Sequence, residues 1–223
     1  MGSITRNFAN NITTSGVLLP ASLNNNSIAN VTAYNAAVAT GSMILISSQT
    51  ASNSASISFT TGIDSTYKEY QFYFINIYPR TDQVGFQFNL STDSGSNYNV
   101  TKTTTFFISY QNEVGDTSGL IYSAAYDLAQ STSFQNLIFP SLSNDNDSNT
   151  SGSLQLFNPS STTYVKHFIS RLNCTVEAIG GSDPYSEDVF VAGYGNTTSA
   201  VNAIQFKMSS GNMDGTILMY GIK

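Results

Sequence analysis

The 223-residue sequence contains very few of the residues that build disulfides, metal sites or catalytic centres. It has one cysteine, one histidine and no tryptophan. The single cysteine, Cys174, excludes an intrachain disulfide framework and a cysteine-based structural zinc site, and we expect it to be a small buried side chain on a strand. The lone histidine, His167, excludes a histidine-cluster metal site. The sequence therefore predicts no cofactor and no metal centre.

Charged residues are scarce as well, at 10% of the chain, against about 25% in typical soluble proteins. The formal net charge is −6, and the eight lysines and arginines are spread thinly along the sequence. Because no basic stripe is available to neutralise phosphates, we expect no nucleic-acid binding. The sequence has no apolar run of about 18 residues, so we expect no membrane insertion. The first residues lack a long apolar h-region, so classical secretion is not expected either.

Aromatic and small polar residues take the place of the missing charges. The chain has 14 Phe and 13 Tyr, and its polarity comes mainly from Ser, Thr and Asn. Aromatic residues suit the pleated, half-buried surface of a sheet, whereas a helical protein would need Glu, Lys, Arg and Ala on its exposed faces. The cleanest local pattern is the alternation of Val84, Phe86, Phe88 and Leu90 with Gly, Gln and Asn, which predicts a half-buried strand.

The longest predicted strand covers residues 67–78. A strict alternation places Phe72 and Phe74 on one face and Tyr73, Ile75 and Ile77 on the other. Because both faces are apolar at the centre of this strand, we expect it to be covered on both sides. Pro79, which cannot donate to a sheet ladder, should end it.

The region from residue 43 onward is predicted to consist of strands separated by turns. Residues 122–130 are predicted to form either a short helix or a covering loop. The remaining predicted strands are 43–47, 57–61, 84–90, 98–109, 134–139, 153–157, 164–176, 189–194, 203–208 and 216–222. Strands without intervening helices must pair antiparallel, because parallel pairing would need crossover helices. The prediction is an all-β, antiparallel two-sheet sandwich, jelly-roll-like as the first choice and another Greek-key sandwich as the second.

Residues 1–42 differ from the rest of the chain. They are rich in Asn and Ala, show no clean alternation and carry almost no charge. Ser27 could cap one or two helical turns over 28–37, and otherwise we expect an extended arm. Such a segment has too little apolar surface to fold alone. We therefore predict an N-terminal docking arm over 1–42 and a β-sandwich domain over 43–223.

No catalytic motif stands out. His167 lies in a strand pattern, and no Gly-x-Ser-x-Gly elbow accompanies it to suggest a serine hydrolase. Paired carboxylates could serve a glycoside hydrolase, but the candidate acids sit singly or in turn-like segments. These candidates are Glu69, Glu113, Glu177, Glu187 and Asp188. The sequence predicts a protein that is not an enzyme, with a glycan hydrolase as the remotest alternative.

Residues 144–150 (NDNDSNT) cluster oxygen ligands of the kind that bind Ca²⁺. The segment lacks both the glycine and the terminal bidentate glutamate of an EF-hand loop. We favour a solvated loop and keep calcium binding as the alternative.

Two polar segments with tyrosine are candidate surface-binding loops. One contains Asp93, Asn97 and Tyr98, and the other contains Tyr194 and Asn196. Amphipathic tyrosine beside small, adaptable polar groups is a composition that binds well in antibody loops. We favour ordinary hairpin turns and keep surface binding as the alternative.

Several segments give the chain a resemblance to small structural proteins of marine tailed phages. They are residues 4–12 (ITRNFANNI), 24–32 (NNNSIANVT), 59–70 (FTTGIDSTYKEY), 158–163 (NPSSTT), 191–200 (VAGYGNTTSA) and 215–222 (GTILMYGI). The resemblance implies a virion protein built on a β-sandwich, and it transfers no functional residue.

The functional expectation is a non-enzymatic virion structural protein displayed on the particle surface, as capsid decoration or as a tail-fibre component. Its expected partners are other virion proteins, bound through residues 1–42, and further copies of itself, in a trimer. It would be assembled in the cytoplasm of a bacterial host. The alternative is a carbohydrate-binding, receptor-recognising module that contacts a host surface glycan.

Overall fold

A computed structural model describes residues 42–176 and 184–223. These residues form twelve strands, and no helix occurs among them. The strands are β1 (Met43–Ser54), β2 (Ile57–Phe59), β3 (Glu69–Pro79), β4 (Phe86–Ser91), β5 (Lys102–Asn112), β6 (Ser118–Tyr122), β7 (Gln135–Asn136), β8 (Thr150–Phe157), β9 (Lys166–Val176), β10 (Tyr185–Gly195), β11 (Ala203–Met208) and β12 (Met213–Ile222). The predicted all-β class is confirmed.

The strands form two antiparallel sheets. The larger has the order β1-β12-β3-β8-β9-β10-β5-β6, and the smaller has the order β2-β11-β4-β7. Eight of the strands form pairs that are nested in sequence order: β1 pairs with β12, β2 with β11, β3 with β8 and β4 with β7. Successive pairs alternate between the two sheets, which is the winding of a jelly roll.

Two hairpins are inserted into this winding. The β5–β6 hairpin lies between β4 and β7 in sequence, and the β9–β10 hairpin lies between β8 and β11. Both join the larger sheet, where β10 pairs with β5 over eleven residues. The inner face of this extension is covered at β5 by the segment 123–142, whereas Phe168 of β9 packs on Phe88 of the smaller sheet with ring centroids 4.9 Å apart. Phe106 of β5 packs against Tyr126 and Phe139 of the covering segment, and the Thr104 hydroxyl donates to Gln135 at 2.7 Å.

Phenylalanines from both sheets form the centre of the core. Phe206 of β11 lies within ring-contact distance of five other phenylalanines, with centroid separations from 5.1 to 6.4 Å. These five are Phe59, Phe72, Phe74, Phe86 and Phe88. Because Phe72 and Phe74 belong to the larger sheet and the others to the smaller, this cluster holds the two layers together.

The predicted faces of β3 are wrong at its C-terminal end. Ile77 is fully buried on the core side with Phe72 and Phe74, while Ile75 is 44% exposed. The cause is a bulge at Asn76, which has a φ of 49° and interrupts the register with β8 between Phe74 and Ile77. The extra residue shifts the alternation by one. We expected the second face of this strand to be covered. At Ile75 that expectation is wrong, because the described residues leave this side chain exposed.

The boundaries of several other strands and loops differ from the predictions. Strand β6 was not predicted at all. Of the two alternatives predicted for residues 122–130, the loop is confirmed over 123–130 and the short helix is wrong. Val84 lies outside β4 and forms an isolated bridge with Leu142. The strand predicted over 134–139 shrinks to Gln135–Asn136. Strand β3 does end at Pro79, and β11 matches its predicted bounds.

The docking arm predicted for residues 1–42 lies outside the described residues, except for Ser42. The turn predicted at Gly180 and Gly181 lies outside them as well. No helix in the described ranges has the length and apolar character needed to cross a membrane.

Candidate binding surface on the larger sheet

The inserted strands β9, β10 and β5 expose one broad face. Side chains of alternate residues point away from the core, and the register places them in cross-strand rows. One row joins Phe107, Phe190 and Arg171, and the next joins Thr105, Ala192 and Ile169. The sequence folds this way because the other alternate positions, such as Phe106, Val191 and Phe168, are apolar and buried.

The first row forms an aromatic ridge across the sheet. The Phe107 and Phe190 rings stack with centroids 4.9 Å apart and an interplanar angle of 4°. The Arg171 guanidinium lies 4.8 Å from the Phe190 centroid, on a cation–π contact. Asp188 fixes the guanidinium, since it accepts from Arg171 Nη2 at 2.6 Å and from Nε at 3.0 Å. The pKa of Arg171 is raised because this hydrogen bond and the adjacent negative charge favour the charged form.

A trough of about 500 Å³ lies over Ala192, beside this ridge. Its lining comes from β5, β9 and β10, together with Phe157 at the end of β8. The lining residues include Thr103, Thr105, His167, Ile169 and Tyr194. The His167 and Tyr194 rings lie 6.0 Å apart and bound the trough opposite the ridge. Among the described residues, no carboxylate, lysine or arginine lines it.

A second trough, of about 490 Å³, lies towards the other end of the same strands. Its lining is polar and includes Ser109, Gln111, Ser186, Glu113 and Asp188. Two of the predicted catalytic candidates, Glu113 and Asp188, thus share one trough. Asp188, however, forms a salt bridge with Arg171.

The remaining candidate acids lie elsewhere. Glu69 accepts from Gln155 on the outer face, and Glu177 lies outside the described residues. Glu187 is only 5% exposed and faces inward, and its Oε2 has no hydrogen-bond partner in the described part of the chain. Burial raises the pKa of Glu187 to about 8. The structure therefore does not bring Glu187 to the face where Glu113 and Asp188 lie.

The first predicted binding loop is held together by its own side chains. Asp93 accepts from the Asn97 backbone N–H at 2.9 Å, from Asn97 Nδ2 at 2.7 Å and from the Ser91 hydroxyl at 2.7 Å. These hydrogen bonds lower the pKa of Asp93 to about 2. Tyr98 is half-buried, with a hydroxyl that is buried without a partner among the described residues. Asp93, Asn97 and Tyr98 thus form a closed turn.

The second predicted loop divides into two different roles. Tyr194 lines the apolar trough, so its placement agrees with a binding function. Asn196 instead forms hydrogen bonds to two neighbouring segments. Its backbone N–H donates to Thr101 O at 2.7 Å, and its Nδ2 donates to Gln130 Oε1 at 2.7 Å. The five predicted residues do not form one site.

Phe107, Phe190, Ala192 and Ile169 were missed by the sequence reasoning. A usable signal was present, since β5 and β10 carry apolar residues at consecutive positions, as in Phe106-Phe107 and Val189-Phe190-Val191. A strand that buries only one face needs apolar residues only at alternate positions. Consecutive apolar residues therefore indicate that apolar side chains also lie on its other face.

The cysteine and the candidate calcium loop have structural roles. Cys174 is buried as predicted, and burial raises the pKa of its thiol. In the 144–150 segment, the Ser148 hydroxyl donates to Thr175 O at 3.2 Å, and Asn144 O accepts from the Tyr78 hydroxyl at 2.5 Å. Within the described ranges, no three His, Cys, Asp or Glu side chains group closely enough to hold a metal ion.

Comparisons with protein-family models, with curated proteins and with solved structures produce no match for this chain.

Proposed function

We propose that this chain is a non-enzymatic structural protein displayed on the surface of a phage particle, as capsid decoration or as a tail-fibre component. The supporting observation is the jelly-roll winding, an architecture that capsid and lectin domains share. The segment resemblance described above points in the same direction.

The placement of the reactive side chains supports a non-enzymatic role. His167 is exposed on the outer face of β9, whereas Cys174 and Glu187 are buried on the inner face. A nucleophile, a base and an orienting acid must lie within hydrogen-bond reach of one another. These three residues do not share a face of the sheet.

Particle incorporation tests the proposal directly. Antibody raised against the purified protein should label particles purified from the phage that carries this gene, and protein mass spectrometry should detect the chain in them. Many copies per particle would indicate a capsid role, and few would indicate a fibre. Absence from purified particles would overturn the proposal.

The arm has its own test. A chain that lacks residues 1–42 should keep the β-sheet circular dichroism and cooperative unfolding of the full chain but should no longer join the particle. Retained incorporation would exclude the arm as the attachment device. The proposed trimer is tested by sedimentation of the full chain, where a monomer mass would contradict it.

The second candidate function is carbohydrate binding. The observation that favours it is the uncharged trough over Ala192, with aromatic and hydroxyl side chains around it.

A further inference from the structure

We propose that the trough over Ala192 is a binding site for a neutral saccharide. This inference rests on the second candidate function, carbohydrate binding, and is independent of a structural role on a particle, because it uses only the outer face of β5, β9 and β10. The trough volume of about 500 Å³ lies in the range of small-molecule sites, which are roughly 300–1,000 Å³.

The depth of the trough comes from one small side chain. Ala192 lies between Thr105 and Ile169 in the same cross-strand row, and both of these neighbours are larger and exposed. Ile169 is 48% exposed, so much of its apolar surface is open to solvent. A saccharide ring has apolar C–H faces, and contact with Ala192 and Ile169 would remove this surface from water.

Two aromatic side chains of the lining contact each other. The His167 and Tyr194 rings lie 6.0 Å apart, and both residues line the trough. The Phe107–Phe190 stack lies in the adjacent cross-strand row and is not part of the lining. Because His167 and Tyr194 already contact each other, a ligand that packs on them loses less free energy to side-chain ordering.

Unused hydrogen-bonding groups face the same space. In the described part of the chain, neither the Tyr194 hydroxyl nor the His167 imidazole makes a side-chain hydrogen bond, while both residues line the trough. The Thr105 hydroxyl makes only a long contact of 3.4 Å to Ala192 O. These groups can donate to and accept from sugar hydroxyls. With no carboxylate, lysine or arginine in the described lining, the site offers no ion pair to a charged sugar.

A matched pair of substitutions on one strand tests the site. Ala192→Tyr fills the trough, and Ser186→Tyr adds the same side chain to an exposed outward position of β10 in the other trough. The purified full chain is applied to an array of neutral oligosaccharides that end in glucose, galactose, mannose or N-acetylglucosamine. Sialylated and sulfated oligosaccharides on the same array serve as charged comparators.

The wild type should bind at least one neutral oligosaccharide. Ala192→Tyr should weaken that binding about tenfold or more, while Ser186→Tyr should stay within about twofold of the wild type. If Ala192→Tyr fails to unfold cooperatively, Tyr194→Phe and His167→Ala replace it, and each should weaken binding while preserving the thermal transition.

Four results would overturn the proposal: no binding to any oligosaccharide, binding only to charged ones, binding unaffected by the trough substitutions, or self-association of the wild type that Ala192→Tyr abolishes. The last result would show that a second copy of the chain occupies the trough. Because the assay uses purified protein, its failure leaves the particle proposal untouched.

Discussion

Lys102 and Lys166 pair with the same residue, Gly195, from the two strands that flank β10, and both lysines are buried. Lys102 Nζ donates to Asn89 Oδ1 and to Val100 O, the latter at 2.8 Å. Lys166 Nζ donates to three backbone carbonyls, those of Ser161, Tyr164 and Thr197. Neutral oxygens therefore surround both ammonium groups. Burial lowers the pKa of each lysine, and it lowers that of Lys102 to about 7.

Replacement of Lys102 by methionine should alter how stability responds to alkaline pH. The folded pKa, about 7, lies below the unfolded value of 10.5, so the unfolded chain binds more protons between these two values. In this window Lys102 makes stability rise with pH, with a slope of at most about 1.4 kcal/mol per pH unit. Urea unfolding of the wild type and of Lys102→Met from about pH 7 to pH 10 should show the smaller slope in the variant.

Lys207→Met is the matched control, because Lys207 Nζ lies over the Phe134 ring and is only partly buried. Its slope should equal that of the wild type. Equal slopes in all three proteins would show that Lys102 keeps an ordinary pKa in the folded state.

Replacement of Glu187 by glutamine should remove a decrease of stability with rising pH, which is opposite in sign to the contribution of Lys102. Burial raises the folded pKa from 4.5 to about 8, so the folded chain binds the extra proton in this interval. The contribution of Glu187 to stability is therefore complete below pH 4.5 and is lost as the pH rises through about 8. Thermal unfolding from about pH 5 to pH 8 should show a flatter profile for Glu187→Gln than for the wild type.

Glu113→Gln provides the comparison for an exposed acid. It should leave the profile parallel to that of the wild type. A wild-type profile that Glu187→Gln does not flatten would argue against a protonated Glu187 at neutral pH.

Truncation of Phe206 should be the most damaging single change in the core. Its ring contacts five phenylalanines from both sheets, so Phe206→Ala would leave a cavity between the layers. We expect a loss of about 3–5 kcal/mol in the free energy of unfolding, measured with urea. Phe107→Ala removes the same atoms at a position that is 37% exposed and should cost about 1 kcal/mol. Similar losses for the two variants would contradict the central position of Phe206.

Replacement of Asp93 by asparagine should loosen the Ser91–Asn97 turn without unfolding the sandwich. An amide cannot accept through both of its polar atoms, so at least one of the bonds from Ser91 and Asn97 is lost. The Asn97 amide hydrogen should exchange faster, as measured by NMR. Asp116→Asn alters a different turn, where Asn112 and Thr117 donate to the aspartate, and should not change Asn97 exchange. Unchanged exchange in Asp93→Asn would mean that one accepting oxygen at position 93 is enough to hold this turn, and it would contradict the prediction.

The fold class followed from alternation and composition, but the bulge in β3 did not. Asn76 tolerates a left-handed conformation, and Gly215 lies opposite it with a φ of 122° and an added Cβ position only 2.6 Å from Asn76 O. Their proximity is a product of the β3–β12 pairing, which no local pattern reveals. A single inserted residue then reversed the faces predicted for Ile77.

The candidate site was predictable only in part. Tyr194 was identified from loop composition, whereas Phe190 and Ala192 required knowledge that β10 is flanked by β9 and β5. Strands β5 and β9 belong to different inserted hairpins. Thr105 and Ile169 are therefore far apart in the sequence, and no local pattern shows that both flank Ala192. Cross-strand rows depend on register, and register is set by long-range pairing.

The pairing of β1 with β12 has a consequence for how the chain folds. Strand β12 lies between β1 and β3, and Met43 is opposite Ile222. Similarly, β5 has β10 as its neighbour, although β6 to β9 are synthesised between them. A nascent chain therefore exposes unsatisfied strand edges until the residues of β12 leave the ribosome. This high contact order predicts folding that is slow for the size of the domain and begins mainly after synthesis has passed β12.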